Sequence, residues 1–362
     1  MTLVIPALAA ELTPCWVSGA LRADGHSVAD VISLEVETVG AGSGLISDVS
    51  RLRLTYAQGG DGPGTVIAKR PSRVENTRVV ADALGMYARE VRFYRHLASR
   101  TSVTQPRCYF AGLDDDHQNF VLLLEDLSDG RVVDQLSGCS PEDAELIVDR
   151  LAALHADWWN DPDLIDRGWV GRLCDSPFPE AVAFSFQQGW PIVRDRFADD
   201  LPPSIIALGD RFDLLLPMLM AQLSEPPYTL SHGDFRLDNM FLFDDSRDLA
   251  VCDWQLMDRS RGPRDLAYFM TQSLATADRE AVERTLVERY VERLRSAGVN
   301  GYGVEDAWHD YRVASLFAFV YPVVAGGAID SANERARDLI SLALTRSIAA
   351  IMQLDCLDLV AS

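Results

Sequence analysis

Lysine is almost absent from this chain. Of its 33 basic residues in 362 positions, one is lysine, Lys69, and the rest are arginines. A guanidinium is a planar fork, whereas an ammonium is a compact point charge. A lone ammonium kept in an arginine-rich chain therefore marks a place where the point charge matters. Positive charge as a whole is also scarce, with 54 acidic residues and a net charge of −21. Such a field repels nucleic acid and anionic lipid surfaces, so neither is expected as a partner. The six cysteines, at 15, 108, 139, 174, 252 and 356, never fall as C-x-x-C. Neither a zinc site nor a disulfide frame is indicated, and reduced thiols are expected. The longest uncharged run, Val313 to Ile329, contains Pro322 and a glycine pair. It falls short of a spanning helix and predicts a buried helix and turn, with no membrane insertion. The start meets Glu11 before any basic stretch, so no secretory signal is expected and the expected location is cytoplasmic. G-x-x-x-x-G-K-[ST] does not occur, which argues against a Walker-type site.

What is present is Leu230-Ser-His-Gly-Asp-Phe-Arg-Leu-Asp-Asn239, followed by Val251-Cys-Asp-Trp254. H-x-D-x-x-x-x-N with a second Asp supplies what phosphoryl transfer needs: a carboxylate to orient a hydroxyl, and an amide with a carboxylate to hold Mg²⁺. The short apolar runs Tyr228 to Leu230, Met240 to Phe243 and Leu249 to Cys252 predict strands, which leaves the polar residues in loops at strand ends. Asp234 would accept a hydrogen bond from the attacking hydroxyl. Asn239 and Asp253 would offer oxygen ligands to a hard cation, and Arg236 would reach the transferring phosphoryl group.

Lys69 ends the β-branched run Thr65-Val-Ile-Ala-Lys69, where the kinase pattern V-A-I-K puts the lysine that grips phosphates. It needs a carboxylate partner. From Ala83 to Leu97, Ala83, Tyr87, Tyr94 and Leu97 follow helical spacing and Glu90 falls on their stripe. A buried Glu costs several kcal/mol unless paired, so Lys69 is its expected partner. Upstream, Ile32 to Val39 alternates like a strand, Gly40-Ala-Gly-Ser-Gly44 follows, and Asp48 to Tyr56 alternates again. In this strand, Gly-rich turn, strand order, Gly40, Gly42, Ser43 and Gly44 are expected to approach nucleotide phosphates. A dinucleotide fingerprint is the rival. Leu45 stands where it wants Gly, and residues 50–56 have strand rather than helical period.

Together these segments resemble the aminoglycoside phosphotransferase and choline-kinase-like superfamily, above all its ecdysteroid-kinase-like branch. The similarity rests on His232-Gly-Asp-Phe-Arg-Leu-Asp-Asn239, Cys252-Asp-Trp254, Leu122-Leu-Leu-Glu-Asp-Leu127, Leu151-Ala-Ala-Leu-His-Ala156 and Arg261-Gly-Pro-Arg-Asp-Leu-Ala267, and runs from about Leu34 to the final helices. It implies an α+β, bilobal protein-kinase-like fold, with a small antiparallel β-rich lobe carrying one helix and a larger, mostly helical lobe. The expected division is a nucleotide-binding lobe at 1–127, which includes an N-terminal helix, and a catalytic and substrate-binding lobe at 128–362. By the same resemblance Asp234 is the base, Asn239 and Asp253 are magnesium ligands, and Lys69 with Glu90 is the phosphate-gripping pair. Glu125 to Leu127 form the hinge whose backbone reads adenine, and Asp265 braces the catalytic loop. ATP and Mg²⁺ are the implied cofactors, and a small-molecule hydroxyl acceptor is the implied partner. Asp253 is followed by Trp-Gln rather than Phe-Gly and no activation segment is recognisable, which argues against protein substrates. The acceptor stays open among aminoglycosides, amino alcohols, sterols and sugars, and ATP against GTP is open too. The alternative function is a nucleotide-binding pseudokinase that regulates a partner; the intact set of polar residues favours catalysis.

The remaining pattern predicts a helix from about Pro14 to Ala23, a hairpin turn at Gln58 to Gly64, and a helix with Ser140 as N-cap and Pro141 at N1. That helix puts His155 on its apolar face, where a structural role is expected. Residues 161–205 show the least regular pattern and are expected to shape the substrate pocket. Trp158, Trp159 and Trp169 are expected mainly to pack.

Overall fold

Alternation along neighbouring strands explains how the lone lysine is displayed. In the computed structural model, which describes residues 3–23, 25, 29–39, 46–57, 62–117, 119–328 and 334–361, strands β1 (Val31–Thr38), β2 (Ser47–Tyr56), β3 (Thr65–Pro71), β4 (Cys108–Leu113) and β5 (Phe120–Glu125) form one sheet. Its order is β1-β2-β3-β5-β4 and every neighbouring pair is antiparallel. Gly40, Gly42, Ser43 and Gly44 lie outside the described residues, as do 58–61.

Helix α1 (Pro14–Ala23) packs Val17, Ala20 and Leu21 against Leu52, Leu54, Val66, Ala68, Val121 and Leu123 of the sheet. Successive strand side chains point to opposite faces. Lys69, one position out of phase with Val66 and Ala68, is therefore turned to the face away from this core. On that face lies α3 (Met86–His96), preceded by α2 (Glu75–Ala83). The stretch expected as one helix is thus broken, with Gly85 in the left-handed region at φ 63°. Glycine accepts that conformation without the steric cost of a Cβ.

The chain divides into two compact units, Met1–Arg131 with Ala250–Leu256, and Val132–Leu249 with Met257–Ser362. The sequence reading placed all of 128–362 in the second lobe; in the structure the segment around Asp253 packs with the first.

The second unit is mostly helical: α4 (Pro141–Asp157), α5 (Pro162–Asp166), α6 (Phe178–Arg196), α7 (Pro203–Gly209) and α8 (Phe212–Ser224) precede strands β6 (Thr229–Ser231) and β7 (Met240–Phe243). Strand β8 (Asp248–Val251) leads out of this unit, and after β9 (Asp258–Ser260) come α9 (Pro263–Ser273), α10 (Thr276–Ser296), α11 (Val304–Phe317), α12 (Val320–Ala328) and α13 (Glu334–Gln353). Strands β6 and β9 pair antiparallel; β6 leads into the loop of His232 and Asp234, and β9 into α9. Ser140 caps α4 as expected, its Oγ accepting from Asp143 N–H at 3.1 Å. Residues 161–205, expected to be irregular, are largely helical. Pro191 inside α6 obscures the helical pattern without ending the helix. No helix among the described residues is long and apolar enough to cross a membrane.

Candidate active site

In the first unit, Lys69 is buried and its ammonium is held by two carboxylates. Nζ lies 2.9 Å from Oε1 and 2.8 Å from Oε2 of Glu90, and 2.8 Å from Oδ1 of Asp253. Burial alone would drive a proton off the ammonium; Asp253 and Glu90 more than reverse this and raise its pKa. Glu90 is pushed up by burial and by the charge of Asp253, with Lys69 opposing both. A cation out of water costs several kcal/mol, so the trio holds only if β3, α3 and the segment after β8 are all in place.

That segment is fastened to α3 next to Asp253. The Trp254 ring stacks on Phe93 with centroids 3.9 Å apart and planes 9° from parallel, and Arg89 donates to the carbonyl of Gln255 at 3.0 Å. Asp253 itself sits at φ 69°, a left-handed conformation rare outside glycine but tolerated by Asp. The turn swings its carboxylate toward Lys69.

Glu125 ends β5 with an exposed side chain, its N–H donating to Arg107 O at 2.8 Å and its carboxylate accepting from Arg107 N at 3.0 Å. Leu127 is buried, and its carbonyl accepts from Gly130 N at 2.9 Å. Between them Asp126 binds Arg51, with Nε at 2.7 Å. Burial raises the Asp126 pKa, but the Arg51 hydrogen bond and charge leave it below the usual carboxylate value. The sequence reading missed this pair.

In the second unit the polar loop after β6 is gripped from below by Asp265 of α9. Its Oδ2 accepts from His232 N–H at 2.6 Å and its Oδ1 from Gly233 N–H at 2.9 Å. Taking two consecutive amides with one carboxylate bends the backbone, and Gly233 at φ 83° supplies the bend. Asp265 is fully buried. Burial pushes its pKa up, yet the hydrogen bond and charge of His155, with Arg264 and His232 beyond, hold it down to about 2. His155 has a structural role: its Nε2 is 3.3 Å from Asp265 and its Nδ1 2.7 Å from Tyr290 Oη.

The clamped loop presents Asp234, whose side chain is 16% exposed. Asp234 Oδ1 accepts from Arg236 Nε at 3.1 Å, and Oδ2 from Asn239 Nδ2 at 2.9 Å. Tyr268 of α9 also favours its charged form. Burial opposes ionisation of Asp234, but Arg236, His232, Asn239 and Tyr268 outweigh it and lower the pKa. A carboxylate offers about four lone-pair positions. Arg236 and Asn239 take one position on each oxygen, which leaves room for an incoming O–H donor.

Asn239 Nδ2 also donates to Asp234 O at 2.8 Å. With its amide nitrogen facing a carbonyl and a carboxylate, the Asn239 carbonyl oxygen is directed the other way. Arg236 is shared between Asp234 and Asp238, 2.7 Å from the latter. Tyr268 went unread in the sequence, although it follows Asp265 by one helical turn on a helix buried on all sides.

The structure thus gathers Lys69, Glu90 and Asp253 in one unit and Asp234, Arg236 and Asn239 in the other. The oxygen donors of Asp253 and Asn239 are the kind a magnesium ion takes, and no group of three or more His, Cys, Asp or Glu side chains suited to a metal occurs among the described residues.

A pH experiment tests the clamp. The folded pKa of Asp265 lies below its ordinary value, so its contribution is fully present above about pH 4 and is lost as pH falls toward about 2. The shift corresponds to roughly 2 kcal/mol. Urea unfolding of Asp265→Asn at a series of pH values should show lower stability at neutral pH and a shallower acid slope; an unchanged slope would contradict the clamp.

Comparison with known proteins bears on the fold and the family. The Phosphotransferase enzyme family model matches residues 47–313. Among solved structures, a GDP complex of an aminoglycoside 2′-phosphotransferase-IIIa variant is 14% identical, covers 95% of this chain and 98% of its own, and has a TM-score of 0.53. Ethanolamine kinase of Plasmodium vivax is 12% identical, with 92% and 86% covered and a TM-score of 0.53. An amicoumacin kinase in complex with AMP-PNP, Ca²⁺ and Ami is 13% identical, with 88% and 87% covered and a TM-score of 0.51. These likenesses show a shared protein-kinase-like α+β fold. No curated protein matches the sequence significantly. With the family model spanning well over half its length, the chain belongs to the phosphotransferase enzyme family and is a kinase.

Proposed function

We propose that this enzyme transfers the γ-phosphoryl group of Mg-ATP to a hydroxyl of a small organic acceptor: an alcohol, an aminosugar or an aminoglycoside-like molecule. The observation that carries the reading is Asp234, an ionised, mostly buried carboxylate with hydrogen-bonding capacity to spare and a loop backbone clamped by Asp265. In the reaction Asp234 accepts a hydrogen bond from the acceptor hydroxyl and orients its lone pair. The acceptor oxygen forms the new bond to the γ-phosphorus, the bond to the bridging oxygen breaks, ADP leaves, and the hydroxyl proton passes to Asp234. With its pKa lowered, Asp234 acts mainly by position, as suits a loose phosphoryl-transfer transition state.

Lys69, fixed by Glu90, meets the nucleotide phosphates as a point charge, and Arg236 faces the transferring group. Asn239 and Asp253 would hold Mg²⁺, which supplies charge neutralisation on the phosphates. The backbone of Glu125 to Leu127 is proposed to read the nucleotide base, and the Gly40 to Gly44 turn to cover the phosphates. A small acceptor is favoured because the chain passes from Asp253 to α9 through a short turn and β9, with no room for an activation segment. The named relatives include an ethanolamine kinase and an aminoglycoside phosphotransferase.

Asp234→Asn should lower kcat by about 10²–10⁴ with little change in nucleotide affinity, whereas Asp253→Ala should weaken both Mg-nucleotide binding and turnover. Steady-state kinetics with an acceptor found by an ADP-release screen, beside nucleotide titrations, separates the two. Near-normal turnover of Asp234→Asn would remove it as the base.

The lone lysine gives an independent test. An ATP analogue with an amine-reactive group at its phosphate end should modify Lys69, the only side-chain amine. The ion pairs keep Nζ protonated, so the reaction calls for alkaline pH. Excess Mg-ATP should protect the site in peptide mapping, and labelling that proceeds equally with and without it would take Lys69 out of the nucleotide site.

A further inference from the structure

The loop that carries Asp234 ends in the short 3-10 turn Leu237–Asn239, whose first N–H has no partner inside the turn. Leu237 is fully buried, and the preceding Arg236 provides no side-chain cap. A buried N–H left unmet costs about 1–3 kcal/mol, enough to shift so short a turn. It donates instead to Oε1 of Gln135, 3.1 Å away and distant in sequence.

The orientation of Gln135 is itself fixed. Its Nε2 donates to Gln272 O at 2.6 Å and lies 3.4 Å from Ser273 Oγ, at the end of the helix that also carries Asp265 and Tyr268. Behind it stands Arg346 of α13, buried and, among the described residues, without a carboxylate partner. Its Nη1 donates to Gln135 O at 3.1 Å and Gln272 O at 2.5 Å, and its Nη2 to Leu136 O at 3.4 Å. Burial lowers its pKa, so this cation is kept at a cost to stability. Its hydrogen bonds go to the two backbone segments that frame Gln135.

We propose that Gln135 is a positioning residue for phosphoryl transfer: its amide joins the Asp234–Asn239 loop to α9, and Arg346 holds that amide in place. The inference rests on the reading of Asp234 and Asn239 above. It concerns a buried residue that acts through the loop.

Three variants of the full chain test it: Gln135→Met, Gln135→Glu and, as control, Asp234→Asn. ADP release from Mg-ATP with water as acceptor gives turnover, and hydrogen exchange at residues 232–240 reports the loop directly. Gln135→Met keeps length and loses both polar groups. It should lower kcat about tenfold or more with KM for Mg-ATP within about twofold, since a small misplacement is costly in this chemistry, and should speed Leu237 exchange by about tenfold. In Gln135→Glu the protonated side chain can still accept from Leu237 N–H and donate to Gln272 O, whereas the carboxylate cannot donate. Beside the Arg346 guanidinium the side chain stays a carboxylate, which keeps the acceptor for Leu237 N–H and loses only the link to α9, so its turnover should fall at least about threefold with KM for Mg-ATP within about twofold.

Turnover and Leu237 exchange of Gln135→Met both within about twofold of wild type would overturn the proposal. Where that variant does not fold, Gln135→Glu decides: turnover lowered at least about threefold with an unchanged KM for Mg-ATP supports the proposal, and turnover within about twofold of wild type overturns it. An active Asp234→Asn would overturn the reading of the loop; an inactive one beside a normal Gln135→Met overturns only the role of Gln135.

Discussion

A single buried ammonium between two carboxylates sets the order of the N-terminal unit. Lys69 could not remain charged on the inner face of β3 without Glu90 and Asp253 within 3 Å. Each carboxylate comes from a different element. Glu90 needs α3 laid across the sheet; Asp253 needs the chain to return after β8, turn through a left-handed residue and anchor Trp254 on Phe93. The desolvation cost of one charge thus ties together three segments far apart in sequence, and leaves one cation and two carboxylates side by side.

The second unit solves a related problem with the backbone. A loop that must expose a carboxylate cannot rely on helix or sheet hydrogen bonds, so its amides are met by side chains: Asp265 takes those of His232 and Gly233, and Gln135 takes that of Leu237. Each holder is held in turn, Asp265 by His155 and Gln135 by the end of α9 and Arg346. Asp234 is then ionised and aimed without a strand or helix of its own.

Short motifs and period-two alternation made much of this legible. Val66 and Ala68 alternating with Lys69, and Glu90 on a helical stripe, follow from local geometry alone, and the Lys69–Glu90 pair then follows from the cost of burying either charge. Ser140 and Pro141 announced α4 because capping is a local hydrogen bond. The break at Gly85 was hidden because the apolar stripe runs on across it, and α6 because Pro191 interrupts its pattern. Tyr268, Gln135 and Asp126 could not be found from spacing. Their partners lie far along the chain, and nothing in their neighbours distinguishes them from ordinary helix or loop residues. The packing of residues 250–256 with the first unit was hidden for the same reason, since it depends on a ring stack between Trp254 and Phe93.

The central claim is that a phosphoryl group moves from nucleotide to a small hydroxyl acceptor. ³¹P NMR of the full chain with Mg-ATP and pooled alcohols, aminosugars and aminoglycosides follows that transfer directly. The account predicts a new phosphomonoester resonance that grows in step with ADP and depends on one component of the pool. Nucleotide that binds and is never converted to a phosphoester with any member of a broad pool, or phosphate found only on added protein, would contradict it.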